Sequence, residues 1–217
     1  MSQRAVLFDL DGTLVDSAPD LWRAANEVRA TQAMPPMPLG AFRPVVSRGA
    51  RAMLAVALPE HRESQREALL DEFLQRYARD IARETRLFAG MEALLCQIES
   101  RGVMWGIVSN KAEGLAKQVV VSLGLQARAS VLIGGDTCAE RKPHPLPLLE
   151  ACRRLQVSPS QALYLGDDPR DIQAARAAGI RSVAVTWGYA DEDTVREWGA
   201  DRCIDAPMDL LDEDLLN

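Results

Sequence analysis

The sequence predicts an α/β fold, a doubly wound parallel sheet interrupted early by an all-helical insertion. Three observations carry this. After Leu87, short apolar runs alternate with helical stretches. The runs are apolar at nearly every position, as in strands covered on both faces. Nothing between Asp16 and Arg83 reads as a strand. At 217 residues, the chain has room for one large domain or one domain plus an insert.

The elements follow in order. Arg4–Phe8 is a short apolar strand ending on the polar run Asp9-Leu10-Asp11-Gly12-Thr13. Asp16, Ser17 and Pro19 mark a helix start, and Leu21, Trp22, Ala25 and Val28 then recur at helical spacing up to about Thr31. Past a proline-rich break at 35–38, helices are expected at Leu39–Val46, Gly49–Leu58 and, as one long element, Arg62–Arg83. In the last, Leu70, Phe73, Leu74, Tyr77 and Ile81 form one apolar stripe. The alternating half follows: helix Glu92–Ser100, strand Val103–Val108, helix Ala112–Leu123, strand Val131–Ile133 and helix Pro143–Leu155. Strand Ala162–Leu165, helix Pro169–Ala178, strand Ser182–Val185 and a short helix Asp191–Trp198 complete it. Gly102, Gly124 and Gly179 stand where helices stop. The expected organisation is a discontinuous core, 1–16 and 84–217, around an insert at 17–83.

Composition narrows the function classes. Lys and Arg total 25 against 31 for Asp and Glu, a net charge of −6. Such a chain is not expected to bind nucleic acid or a membrane surface. No run approaches the roughly 18 apolar residues of a membrane span, and Asp9 and Asp11 interrupt any signal-peptide pattern at the start. Cys96, Cys138, Cys152 and Cys203 form no CxxC pair, which suits free thiols in a reducing cytoplasm. Two histidines, His61 and His144, give little to a His-based triad or zinc site.

In open α/β sheets the ligand site lies beyond the carboxyl ends of the strands. Here those ends carry Asp9–Thr13, Ser109-Asn110-Lys111, Gly134-Gly135-Asp136 and Gly166-Asp167-Asp168, and Arg141-Lys142-Pro143 opens the next helix. Clustered carboxylates repel unless a cation joins them. All are hard oxygen donors, which suits Mg²⁺. Ser109, Asn110, Lys142 and the backbone N–H groups around Gly12 and Thr13 supply donors for a phosphate. Carboxylates, one hard metal and oxyanion donors together fit phosphoryl transfer.

These motifs, DLDGT at Asp9–Thr13, Ser109-Asn110, Lys142 in RKPHP and GDDPRD at 166–171, resemble those of the haloacid dehalogenase-like superfamily, over the whole chain. The resemblance implies a Rossmann-like core with an α-helical cap. It implies that Asp9 is the nucleophile and Asp11 the general acid and base. Ser109 and Lys142 would hold the phosphoryl group. Mg²⁺ would bind Asp9, the Asp11 backbone carbonyl and Asp167, while Asp168 and Asp171 orient metal waters or Lys142. Dehalogenases of the superfamily lack the second acid of the first motif, so Asp11 favours phosphate chemistry.

Substrate choice is then expected in the cap, where Arg48, Gly49 and Arg51 form a flexible cationic loop between helices. Arg48 or Arg51 would pair with a substrate carboxylate, or both are surface arginines at a helix start. Through the stretches VVSRGARAM at 45–53, GGDTCAERKPHP at 134–145 and GDDPRDIQAARAAG at 166–179, the chain resembles, within the superfamily, bacterial phosphoglycolate phosphatases first and N-acetylmuramic acid 6-phosphate phosphatases second. Both imply a small phosphate ester as the partner. Ala89 departs from the proline usual there. A phosphosugar mutase would share the core motifs. A phosphonatase would need a cap lysine, and 17–86 has none. A silent phosphate-binding protein would be expected to lose Asp9, Asp11 or Lys142. An EF-hand calcium loop needs glycine at its sixth place, where Leu14 stands.

Overall fold

A computed structural model describes residues 4–211. A six-stranded parallel sheet forms its centre, in the order β5-β4-β1-β6-β7-β8. The strands are β1 (Ala5–Phe8), β4 (Met104–Val108), β5 (Val131–Ile133), β6 (Ala162–Gly166), β7 (Arg181–Val185) and β8 (Arg202–Ile204). The chain starts at β1, builds outward through β4 and β5, then returns to the other side of β1 at β6. That reversal puts the ends of β1, β4 and β6 side by side, the usual position of a ligand crevice.

Both faces are covered, which explains the near-continuous apolar strands. Successive strand residues point to opposite faces. Val6, Phe8, Trp105, Ile107, Leu163 and Leu165 pack with α6 (Met91–Ser100) and α7 (Glu113–Ser122). Ala5, Leu7, Val108, Ala162 and Tyr164 pack with α8 (Leu146–Leu155) and α9 (Pro169–Ala178). The helix α10 (Glu192–Arg196) packs Val195 against Ile172 and Ala184.

Two short strands missed by the sequence reading, β2 (Val15–Asp16) and β3 (Arg86–Leu87), pair antiparallel where the chain leaves and rejoins the sheet region. A third, β8, was also missed. Elements of two or three residues show no periodicity to read. Between β2 and β3 lie α1 (Ala18–Thr31), α2 (Leu39–Phe42), α3 (Ala50–Ala57), α4 (Glu63–Ala68) and α5 (Leu70–Arg79). They share a core of their own, with Leu21, Val28, Phe42, Leu54, Phe73 and Tyr77 at its centre. Among the described residues, only Tyr189 joins that buried cluster from the far half of the chain.

Two expected helices differ. The element at Arg62–Arg83 is broken at Leu69 into α4 and α5. No residue of α4 is buried, so no continuous apolar stripe joins the two helices. The element at Leu39–Val46 ends as α-helix at Phe42 and continues as a 3-10 turn over Arg43–Arg48. Pro44 lacks the N–H that an α-helix would bond to Gly40.

Asp20 ties the helices to the ribbon. Its buried carboxylate accepts the N–H of Glu84 at 3.1 Å, the N–H of Thr85 at 2.9 Å and the Thr85 hydroxyl at 2.6 Å. It also sits in the first turn of α1, where the helix dipole favours an anion. Asp20→Ala orphans two backbone donors, each worth about 1–3 kcal/mol. A loss of about 3 kcal/mol in urea unfolding is expected.

Candidate active site

The sheet delivers Asp9 from the end of β1, and Asp9 is 8% exposed. A tight loop follows. Leu14 and Val15 donate their N–H groups to the Leu10 carbonyl, and Gly12 donates to the Val15 carbonyl. Trp187 Nε1 pins the loop through the Thr13 carbonyl at 3.0 Å. Gly12 has φ +93°, and a Cβ there would lie 2.1 Å from Asp167 Oδ2. Only glycine tolerates both the left-handed backbone and that approach. Gly188 is required on the opposite side, where a Cβ would lie 2.3 Å from the Asp167 Cβ.

Asp9, Asp167 and Asp171 bring carboxylate oxygens within 4.8 Å of one another. Lys142 enters from the segment before α8. Its ammonium lies 2.9 Å from Asp9 Oδ1 and 2.7 Å from Asp171 Oδ1. It also donates to the Val108 carbonyl at 2.9 Å and meets the Tyr164 hydroxyl at 2.6 Å. Burial alone would lower the Lys142 pKa, but Asp171 and Asp9 outweigh it and raise it. Asn110 Nδ2 donates to the Lys142 carbonyl at 2.9 Å and so fixes the segment that carries the lysine.

Asp167 accepts from Thr13 Oγ1 at 2.9 Å, from Ser47 Oγ at 2.8 Å and from the Tyr189 N–H at 3.2 Å. Burial, then the charges of Asp9 and Asp171, push its carboxyl well above the usual range. Asp171 rises to about 7 through burial, against the pull of Lys142. Asp9 Oδ1 is buried and faces the Lys142 ammonium at 2.9 Å, with no further partner among the described residues. Three hard carboxylates gathered in one buried cluster, two of them with raised pKa, fit a divalent cation.

Asp11 stands apart from this cluster. Lys111 Nζ donates to its two oxygens at 2.8 and 3.1 Å, and Ser17 Oγ donates at 2.5 Å. Its side chain is therefore no part of the carboxylate group, and only its backbone carbonyl remains for the expected metal contact. Gly12 does not offer its N–H to a phosphate, since Val15 takes it. Asp168 caps α9 and pairs with Arg170 at 2.7 Å, so Asp171, and not Asp168, is the residue in contact with Lys142. The Ser109 hydroxyl accepts the Lys111 N–H at 3.3 Å.

These groups open into one cavity of about 640 Å³. Asp9, Asp11, Ser109 and Lys142 line it on the sheet side, and Leu21, Val46, Met53, Leu70, Leu74 and Tyr77 on the helical side. Arg48, Gly49 and Arg51 also line it. Arg51, however, is exposed and bound to Glu67 at 2.7 Å. From that loop it is Ser47, on Asp167, that reaches the carboxylates. Lys111, at the end of the Ser109-Asn110-Lys111 run, sets a side chain only 8% exposed against Asp11. Ser17, Ser47, Tyr164 and Tyr189 had no signal, because isolated serines and core tyrosines are common. His144 Nδ1 accepts the Leu146 N–H at 3.2 Å and so opens α8. All four cysteines are free, and no described helix is long and apolar enough to cross a membrane.

Comparison with known proteins agrees with this geometry. The model of the family described as haloacid dehalogenase-like hydrolase matches residues 6–185. A phosphoglycolate phosphatase of Xanthomonas campestris is 52% identical over 209 residues, covering 95% of this chain and 94% of the relative. An N-acetylmuramic acid 6-phosphate phosphatase of Pseudomonas putida is 44% identical over 212 residues, covering 97% and 95%. The crystal structure of a predicted phosphoglycolate phosphatase from Haemophilus somnus superposes with a TM-score of 0.86 at 26% identity, covering 97% of each chain. With the β1 carboxylate facing Lys142 and Asp167 beneath a helical insert, this chain belongs to the haloacid dehalogenase-like hydrolases.

Proposed function

We propose that the protein is a Mg²⁺-dependent phosphomonoesterase that works through an aspartyl-phosphate on Asp9, with 2-phosphoglycolate as its substrate. The single observation that carries the chemistry is the buried trio of Asp9, Asp167 and Lys142 at the sheet edge. An Asp9 oxygen attacks phosphorus, and the bond to the leaving alkoxide breaks. Asp11 gives that alkoxide its proton. Asp11 then takes a proton from the water that attacks phosphorus, and phosphate leaves Asp9 as the free carboxylate. Lys142 and Ser109 hold phosphoryl oxygens through both steps. Mg²⁺, held by Asp9, Asp167 and the Asp11 carbonyl, would neutralise charge shared by Asp9 and the phosphoryl oxygens.

The substrate reading is supported by the relatives named for it at 50–52% identity. A second reading is N-acetylmuramic acid 6-phosphate, the substrate in the name of the Pseudomonas relatives. A cavity of about 640 Å³ with an apolar wall has room for that larger ester. We read residues 17–83 as a lid over the core at 1–16 and 84–217, whose ends, 1–3 and 212–217, lie outside the described residues. The protein is expected to act in the cytoplasm.

Phosphate release from a panel of esters, with Mg²⁺ and with EDTA, tests the activity. Release from 2-phosphoglycolate that EDTA abolishes supports it, and no release from any ester defeats it. Faster release from the amino-sugar ester selects the second reading.

The raised carboxyls also set a pH dependence. A carboxyl raised above its unfolded value contributes stability at low pH that is lost as pH climbs through the folded value, here for Asp167, raised well above the usual range by burial, and for its neighbour Asp171, raised to about 7. A bound cation favours the ionised forms and works in the opposite direction. The rise in Tm on adding Mg²⁺ is therefore expected to be larger near about pH 7.5 than near about pH 5.5, by several degrees. An equal rise at both, read by calorimetry, contradicts the assignment of the cation to these carboxylates.

A further inference from the structure

Lys111 and Tyr77 have no part in the steps above, yet both line the cavity beside Asp9 and Asp11. Lys111 sits two residues beyond Ser109, on the side of Asp11 rather than of Lys142. Its backbone is pinned, since its carbonyl accepts the Gly135 N–H at 2.7 Å. Its ammonium lies 4.5 Å from the centre of the Tyr77 ring. Tyr77 comes from α5 in the helical insert and is fully buried. Its hydroxyl has no hydrogen-bond partner among the described residues. A buried donor without an acceptor is costly, and beside a cation in a cavity it marks where an anionic acceptor would be welcome.

We propose that Lys111 and Tyr77 form the subsite for an anionic group carried by the leaving alcohol, a carboxylate foremost. Lys111 gives up Asp11 for that group when substrate binds. The inference rests on the phosphatase reading and applies to either ester named above. A buried ammonium keeps an anion beside it, so Lys111 leaves Asp11 only when another anion replaces it. Asp11, no longer held through both oxygens, is then free to face the leaving oxygen. A neutral alcohol offers Lys111 nothing to exchange. The pair, more than Arg51 with its Glu67 partner, then sets the preference for acidic substrates.

Steady-state rates with 2-phosphoglycolate and with ethyl phosphate test this in the wild type, Tyr77→Phe, Lys111→Met and Lys111→Arg. Tyr77→Phe keeps the ring and is expected to raise KM for 2-phosphoglycolate about five- to tenfold more than KM for ethyl phosphate. Lys111→Met is expected to lower kcat/KM for the carboxylated ester about 100-fold and to narrow the preference to within about tenfold. Lys111→Arg restores part of it. Equal losses on both esters, or an unchanged preference, overturn the proposal while leaving the phosphatase reading intact. If the wild type hydrolyses neither ester, that reading fails, and calorimetric titration of Asp9→Asn with each ester still reads the subsite. Tighter binding of 2-phosphoglycolate that Tyr77→Phe removes supports it; equal affinity for both esters overturns it.

Discussion

Asp9→Asn is expected to reduce phosphate release by at least about 10⁴-fold while the protein still folds. The amide has no anionic oxygen to attack phosphorus, so the covalent route closes altogether. The fold should survive because Asp9 sits among other carboxylates as well as beside Lys142. Removing its charge relieves repulsion with Asp167 and Asp171 even as it costs one contact to the lysine. The Tm of the variant in EDTA is expected to lie within a few degrees of the wild type. Turnover retained within about tenfold of wild type would mean that Asp9 is not the nucleophile.

Lys142→Met is expected to affect both stability and rate. The lysine is 3% exposed and stands between two buried carboxylates. Removing one partner of such an arrangement leaves buried charge without compensation, typically at about 3–5 kcal/mol. Urea unfolding in EDTA should show that loss. Adding Asp171→Asn to Lys142→Met removes one of the stranded charges, so the double variant should be less destabilised than the sum of the two single changes. Additive losses would mean that the contact between Lys142 and Asp171 carries little energy. Phosphate release should fall by about 10³-fold or more in Lys142→Met, even at temperatures where the variant is folded.

How much of this was legible beforehand depended on scale. The strands of the large sheet were readable because burial on both faces leaves a run such as Ala5–Phe8 apolar throughout. The meeting of Asp9, Ser109 and Lys142 around one cavity, with Asp167 against Asp9, was readable because polar clusters at neighbouring strand ends converge on one sheet edge. The ribbon of β2 and β3 was not readable, since two residues have no period. The grouping of carboxylates was read only in part. Asp171 joins Asp9 and Asp167 because one turn of α9 carries it back over β6, whereas the side chain of Asp11 swings to Lys111 and Ser17. Nor could sequence alone show that Ser47 spans from the helical insert to Asp167, because that contact links residues 120 positions apart.

The most direct test of the account is chemical trapping of the intermediate. The enzyme, turning over 2-phosphoglycolate with Mg²⁺, is quenched in acid and reduced with borohydride, which converts an acyl phosphate on aspartate to homoserine. Peptide mass mapping is expected to find homoserine at position 9 only, and none in Asp9→Asn. Homoserine at position 11, or at no position while phosphate is released, would contradict an aspartyl-phosphate on Asp9.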